Sequence, residues 1–181
     1  VTGLGVISSL GNNTTDTWEN IKKGKIGINN IQHFDTSEYE TKVAGTIINF
    51  NINDFVNKKF IKKFDNFIQY GIAAGIQAIE DANLNDKKIK KDKVGIIIGS
   101  GIGGLSSIEK NYETLKEYGP KKIQPIFIPN CIMNIISGYL SIIYNFTGPT
   151  FSISSACATG GHSICIAQQL INDNKAKIVI G

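Results

Sequence analysis

The chain has 181 residues, 41% apolar and 19% charged, with a net charge of +4; this is the balance of a folded domain with one core, and it excludes a disordered segment. Every basic residue is lysine, which weakens a nucleic-acid reading, because bidentate contacts to phosphates and guanine edges are mostly made by arginine. No apolar run reaches the roughly 18 residues of a membrane span, no signal-peptide pattern is present, and three cysteines without a CxxC pair suggest neither a disulfide framework nor a zinc site; a soluble protein of a reducing compartment fits.

In chain order, VTGLG opens as a buried strand, and TTDTWENIKKG reads as a helix with Thr/Asp capping, stopped by Gly24. VAGTI (43–47) is a short strand. From Lys62 to about Asn83, Phe64, Ile68, Ile72, Gly75, Ile76 and Ile79 recur at intervals of three and four, predicting a long helix with one buried stripe. KVGIIIGSGIGG (93–104) is a buried strand running into a glycine loop. LSSIEKNYETLKEYG is a helix ended by Gly119 and Pro120. Past Pro129, NCIMNIISGYLSIIYN is apolar nearly all round and predicts one central helix. TFSIS is a strand, ATGGHSICIAQQLIND a helix and AKIVIG a last strand. This alternation makes residues 1–181 one α/β unit, and the strand-like ends suggest that it is truncated at both. The abundance of Ile, Asn and Lys is what codon bias in an AT-rich genome would produce.

Several stretches invite a site reading. TGLGVISSLG resembles a dinucleotide fingerprint, but Ser8 stands where the third glycine belongs, so a tight turn leaving a strand is the better reading. GSGIGG (99–104) lacks the GK[ST] ending of a phosphate loop; its glycines admit close approach of another segment or of a ligand tail, and Ile102 is its only bulky residue. Lys59, Lys62 and Lys63 fall at i, i+3 and i+4, one face of a helix, as a solvated surface or as a docking site for an acidic protein. His33 has no partner in view. His162 comes five residues after Cys157, where a helix turns it away from the thiol, so neither histidine reads as a base.

Cys131 and Cys165 lie within apolar helices, where cysteine acts as a small hydrophobe. Cys157 differs. In SSACATGG it follows a strand and opens a helix, among small residues, where free N–H groups and the helix dipole favour an anionic sulfur. A redox site and a packed core residue are the other readings; the geometry is that of a nucleophile.

With these motifs in hand, the chain resembles the amino-terminal half of the elongating β-ketoacyl-[acyl carrier protein] synthases, condensing enzymes of the thiolase fold. The resemblance rests on VTGLGVISSLG, HFDTSEY, FDNFIQYGIAAGIQA, IGSGIGGL, GPKKIQPIFIPN, GPTFSIS and SSACATGG, in the family's order over essentially all 181 residues. It implies a thiolase-like fold, layered αβαβα in the full enzyme, of which this chain supplies the amino-terminal half. By the same resemblance Cys157 is the acyl-accepting nucleophile at the start of a buried helix, its own N–H serving an oxyanion hole. Ile102 lines the end of the acyl pocket, Phe127 reaches that pocket from a neighbouring subunit, and TFSIS pairs across the axis of a homodimer. Lys59, Lys62 and Lys63 receive the acidic acyl carrier protein.

The resemblance further implies that two histidines, a lysine and a second oxyanion donor come from a carboxy-terminal half. The implied reaction is decarboxylating condensation of an acyl chain on Cys157 with malonyl carrier protein in type II fatty acid synthesis. No cofactor belongs to the chain, since phosphopantetheine is carried by the acyl carrier protein substrate. A polyketide ketosynthase is an alternative within the family, and a non-catalytic carrier-binding subunit one outside it. The compartment would be bacterial cytoplasm or a plastid.

Overall fold

The computed structural model describes residues 1–56, 61–85 and 88–181, with the side chain of Lys62 left out. Helix α1 (Thr14–Lys22) is followed by a two-stranded antiparallel ribbon, β1 (Asn29–Asn30) with β2 (Val43–Ala44), paired Asn29 to Ala44 and Asn30 to Val43. Next come α2 (Asn66–Asp81), β3 (Val94–Ile97), α3 (Leu105–Tyr118), α4 (Phe127–Cys131), α5 (Ile135–Tyr144), β4 (Thr150–Phe151), α6 (Thr159–Asn172) and β5 (Ile178–Ile180).

The three-stranded sheet has the order β4-β3-β5, all parallel, with Ile96 opposite Thr150 on one side and Ile180 on the other. Every residue of β3 is buried, which is why VGII is an unbroken apolar run with no alternation. Val94 and Ile96 join one cluster with Ile68, Ile72, Ile76 and Ile79 of α2 and Ile136 and Leu140 of α5. The period of two sends Gly95 and Ile97 to the other face. The chain steps one way from β3 to β4 and back past β3 to β5, so right-handed crossovers set α6 on that second face, opposite α5.

Five expectations change. The opening segment is no strand: residues 1–7 form no regular element and are followed by an isolated bridge from Ser8 to Gly11. Their polar groups are taken by side chains of α2, Leu4 N–H donating to Asp81 (2.9 Å) and Gln77 clasping Val6 N–H and C=O (3.4 and 3.3 Å). Gly5 lies so close to α2 that a Cβ there would stand 1.9 Å from the Ala74 carbonyl oxygen. The glycines of TGLG therefore serve close packing of backbone on helix, not a phosphate.

Secondly, the cap of α1 is Asn13, whose side chain accepts from Asp16 N–H. Gly24 ends that helix at φ 64 as expected. Thirdly, α2 starts at Asn66, capped by Asp65 and preceded by a 3₁₀ turn at Ile61–Lys63. Fourthly, the apolar stretch after Pro129 is two helices, broken where Ile132 is extended (φ −90°, ψ 136°). Apolarity on all sides did not mean burial on all sides, because Ile142 is 70% exposed. Lastly, Cys165 was expected to pack as a small hydrophobe and is exposed.

Candidate functional site

Parallel strands deliver their connections to one edge, and in this fold two of them meet there. β3 runs into the glycine loop and β4 into SSACATGG. Ser137 of α5, fully buried, pins the two strand ends together, accepting from Ile98 N–H (3.1 Å) and donating to Phe151 C=O (3.2 Å). Ser152 Oγ adds a bond to Ile98 C=O (2.5 Å). The loops that leave are correspondingly close: Ser154 Oγ reaches Gly101 C=O at 3.4 Å, and a Cβ on Gly101 would lie 3.7 Å from Ala156.

Cys157 is exposed in the middle of a 3₁₀ turn (Ala156–Ala158) that leads into α6. The turn is sharp enough to hold Ala156 at φ 50, a left-handed conformation that costs a residue with a Cβ about 1–2 kcal/mol. A hydroxyl relay fixes it. Buried Thr159 accepts from Ser155 N–H (2.9 Å) and donates to Ala156 C=O (2.7 Å), Ala158 N–H donates to Ser155 C=O (3.1 Å), and Ser155 Oγ bonds His162 Nδ1 (2.6 Å). This is a strained elbow presenting one sulfur, the arrangement that nucleophiles at strand-to-helix turns adopt. Cys131 is chemically different, its thiol pushed up by burial and then by the Asp65 carboxylate.

The hydroxyl relay is what sequence reasoning missed. Sequence spacing weighs His162 against Cys157, five positions away, whereas its partner is Ser155, which lies outside α6 and is brought back to the helix's first turn by the sharp bend at Ala156–Ala158. Threonine at the head of α6 was the available signal.

Ile102 stands 71% exposed in the glycine loop, next to Gly101, the residue that meets the elbow. The far side of the loop joins α4: Gly103 has φ 94, and Gly104 N–H donates to Cys131 C=O (3.3 Å). Phe127, half-buried, begins α4. Lys63 is exposed beside a polar cavity of about 220 Å³ that Asp65, Lys110, Asn111, Lys122 and Asn130 also line. Lys59 and the side chain of Lys62 lie outside the described residues, and Lys63 ends a 3₁₀ turn (Ile61–Lys63). A larger cavity, about 530 Å³, opens between residues 1–4 and β5 and does not include Cys157. Among the described residues no group of three His, Cys, Asp or Glu side chains could hold a metal ion, and no helix is long and apolar enough to cross a membrane.

The family model "Beta-ketoacyl synthase, N-terminal domain" matches residues 1–181. A 3-oxoacyl-[acyl-carrier-protein] synthase 2 of Vibrio cholerae is 46% identical over 171 residues, covering 94% of this chain and 41% of the relative. Among solved structures, the ishigamide ketosynthase/chain length factor superposes with a TM-score of 0.88 at 22% identity, over 97% of this chain and 44% of that one. A type II PKS acyl-carrier protein in complex with its ketosynthase gives 0.72 at 24% identity, over 97% and 47%. The likeness to these ketosynthases gives the thiolase-like α/β fold. The chain thus spans less than half the length of the relatives it matches, and it belongs to the β-ketoacyl synthase family as its amino-terminal domain.

Proposed function

We propose that the protein of which this chain is the amino-terminal domain is an elongating 3-oxoacyl-[acyl carrier protein] synthase. The observation that carries this is the meeting of the exposed Cys157 elbow with the Ile102 loop at one edge of the sheet. A nucleophile with a flexible glycine-lined wall beside it suits a substrate with a reactive head and a long tail.

In the first half-reaction Cys157 sulfur attacks the acyl thioester of the carrier's pantetheine arm. The bond from the acyl carbon to Cys157 forms, the bond to the carrier sulfur breaks, and the Cys157 proton leaves with the carrier thiol. Malonyl carrier protein then loses CO₂, and the electron pair of the broken C–C bond becomes the enolate. Its carbon attacks the acyl carbonyl, a new C–C bond forms and Cys157 thiolate is released, leaving a 3-oxoacyl product. The Cys157 N–H serves as one oxyanion donor in both transfers. Groups that activate malonate, two histidines among them, come in this reading from chain beyond residues 1–181.

The acyl carrier protein docks at Lys59, Lys62 and Lys63, with Lys110 and Lys122 extending the basic rim. A second copy of the chain covers the outer edge of β4, whose Phe151 is exposed, and α3, which buries none of its residues; Phe127 then serves the neighbour's pocket. The phosphopantetheine belongs to the substrate, so no resident cofactor enters the scheme. The setting is bacterial cytoplasm or a plastid. A polyketide ketosynthase remains the second reading, in view of the type II PKS ketosynthase among the neighbours in fold; the 46% identity to a 3-oxoacyl-[acyl-carrier-protein] synthase 2 favours the first.

The test is full-length protein incubated with acyl carrier protein and followed by intact mass. Wild type should gain one acyl group and release CO₂ from malonyl carrier protein, while Cys157→Ala should lose condensation by about 10³-fold or more. An acyl group still accepted by the alanine variant would remove Cys157 from the reaction, and a monomer at micromolar concentration in ultracentrifugation would remove the dimer.

A further inference from the structure

Asn130 is a polar side chain in an otherwise apolar stretch and is only 8% exposed. Its Oδ1 accepts from Asp65 N–H (3.3 Å) and its Nδ2 donates to Lys63 C=O (3.0 Å). Its backbone abuts the glycine loop: a Cβ on Gly104 would stand 2.0 Å from the Asn130 carbonyl oxygen, and one on Gly103 would stand 2.5 Å from that of Cys131. Asp65 completes the knot with a divided carboxylate. Oδ1 caps α2 by accepting from Phe67 N–H (3.3 Å), and Oδ2 accepts from Ser107 N–H (3.1 Å) and Oγ (2.7 Å). Thus one buried amide and one carboxylate fasten three separate pieces of chain: Lys63–Phe67 leading into α2, the stretch Gly103–Ser107 that follows Ile102, and Asn130 of α4.

Between Ile98, which Ser137 and Ser152 pin, and Gly103 the loop is held much less. Ser100 Oγ accepts from Gly103 N–H (3.2 Å) within the loop itself, and the bond to the elbow is the long one from Ser154. Breaking a charge-assisted bond to Oδ2 therefore loosens the Gly103–Ser107 end of the loop, next to Ile102.

We propose that Asp65 and Asn130 are positioning residues that set the place of Ile102 and tie it to the Lys63 segment, so that occupancy of that segment and the depth of the acyl pocket are linked. Neither touches substrate; both act through Ser107, Gly103 and Gly104. The proposal rests on the acyl-transfer reading above for its substrate, but the loop it concerns can be watched without one.

Two measurements on the full-length protein decide it. In Asp65→Asn and Ser107→Ala, hydrogen exchange at the Gly103 and Gly104 amides should accelerate about tenfold while residues 155–159 exchange as in wild type. The ratio of kcat/KM for octanoyl over palmitoyl carrier protein should shift about fivefold. Ser107→Thr, which keeps the hydroxyl, should restore both. A knot that only supports the fold would lower the thermal midpoint and leave the ratio unmoved. That result, or unchanged exchange at Gly103 and Gly104, overturns the proposal. Asn130→Ala risks misfolding, so the decision lies with the partly exposed Ser107 and Asp65. Should wild type accept no acyl group, the condensing reading fails and hydrogen exchange alone judges the knot.

Discussion

Helices α2 and α6 are of similar length, 16 and 14 residues, and flank the same sheet, yet they are buried to very different degrees. α2 buries six residues, all of them apolar or glycine; α6 buries Thr159 and Ser163 and leaves Ile164 63% exposed. α2 is sealed by α5 and by residues 1–7, so its stripe supports the fold. α6 has two hydroxyls at its buried positions, of which Thr159 holds the elbow, and its apolar residues Ile164 and Ile171 lie open. One helix stabilises, and the other presents. Mutations should therefore separate: changes around α2 should move stability and leave Cys157 reactive, and changes at the head of α6 should do the reverse.

The hardest test of that division is Leu140→Ala, which removes a fully buried side chain packed between α5 and α2. A loss of about 2–5 kcal/mol is expected in urea unfolding. Cys157 alkylation by iodoacetamide, scored below the transition, should keep its rate; a changed rate would mean that core and elbow are not separable. Next comes Gly104→Ala, whose Cβ collides with the Asn130 carbonyl oxygen. About 1–3 kcal/mol is expected, measured by thermal melting. Ser155→Ala removes the bond to His162 at a partly exposed position, so stability should change by only about 1 kcal/mol or less. Alkylation of Cys157 should nonetheless change severalfold, and an unchanged rate would show the relay to be ornamental to the thiol.

The smallest effect is confined to alkaline solution. Burial, and secondarily the Glu80 carboxylate, push the Tyr144 hydroxyl up to about 12. A raised folded value means that the neutral form is favoured on folding. Its contribution is complete below the unfolded value near 10 and is lost as pH rises through about 12. Tyr144→Phe should flatten that decline in denaturant midpoint between about pH 10 and 12; an equal decline in both proteins would place the alkaline weakness elsewhere.

What the sequence disclosed follows from where the physics is local. The period of α2 and the unbroken apolar run of β3 announce their burial, and both elements are present, α2 from Asn66 rather than Lys62. The cysteine among small residues likewise marks its own turn. By contrast, the opening VTGLG reads as a strand until one knows that Gln77 and Asp81, more than 70 positions away, satisfy its backbone. Apolar composition after Pro129 gave helix but not its break. Asparagine abundance was assigned to codon bias, whereas Asn49, Asn83, Asn145 and Asn174 all occupy left-handed backbone, Asn145 at the cap of α5, where a short polar side chain is tolerated. The Asp65 and Asn130 knot was invisible for a further reason: its three pieces lie far apart in the chain and meet only after α2, α3 and α4 are in place.

The left-handed Ala156 has a consequence for how this domain can vary over generations. Glycine at that position would relieve the steric penalty of the turn, so a single substitution there makes the protein harder to unfold. The same substitution frees the backbone beside the thiol to wander. Ala156→Gly would thus trade a relieved turn against a sulfur held in place less firmly, since the methyl group that strains this backbone also narrows its choices.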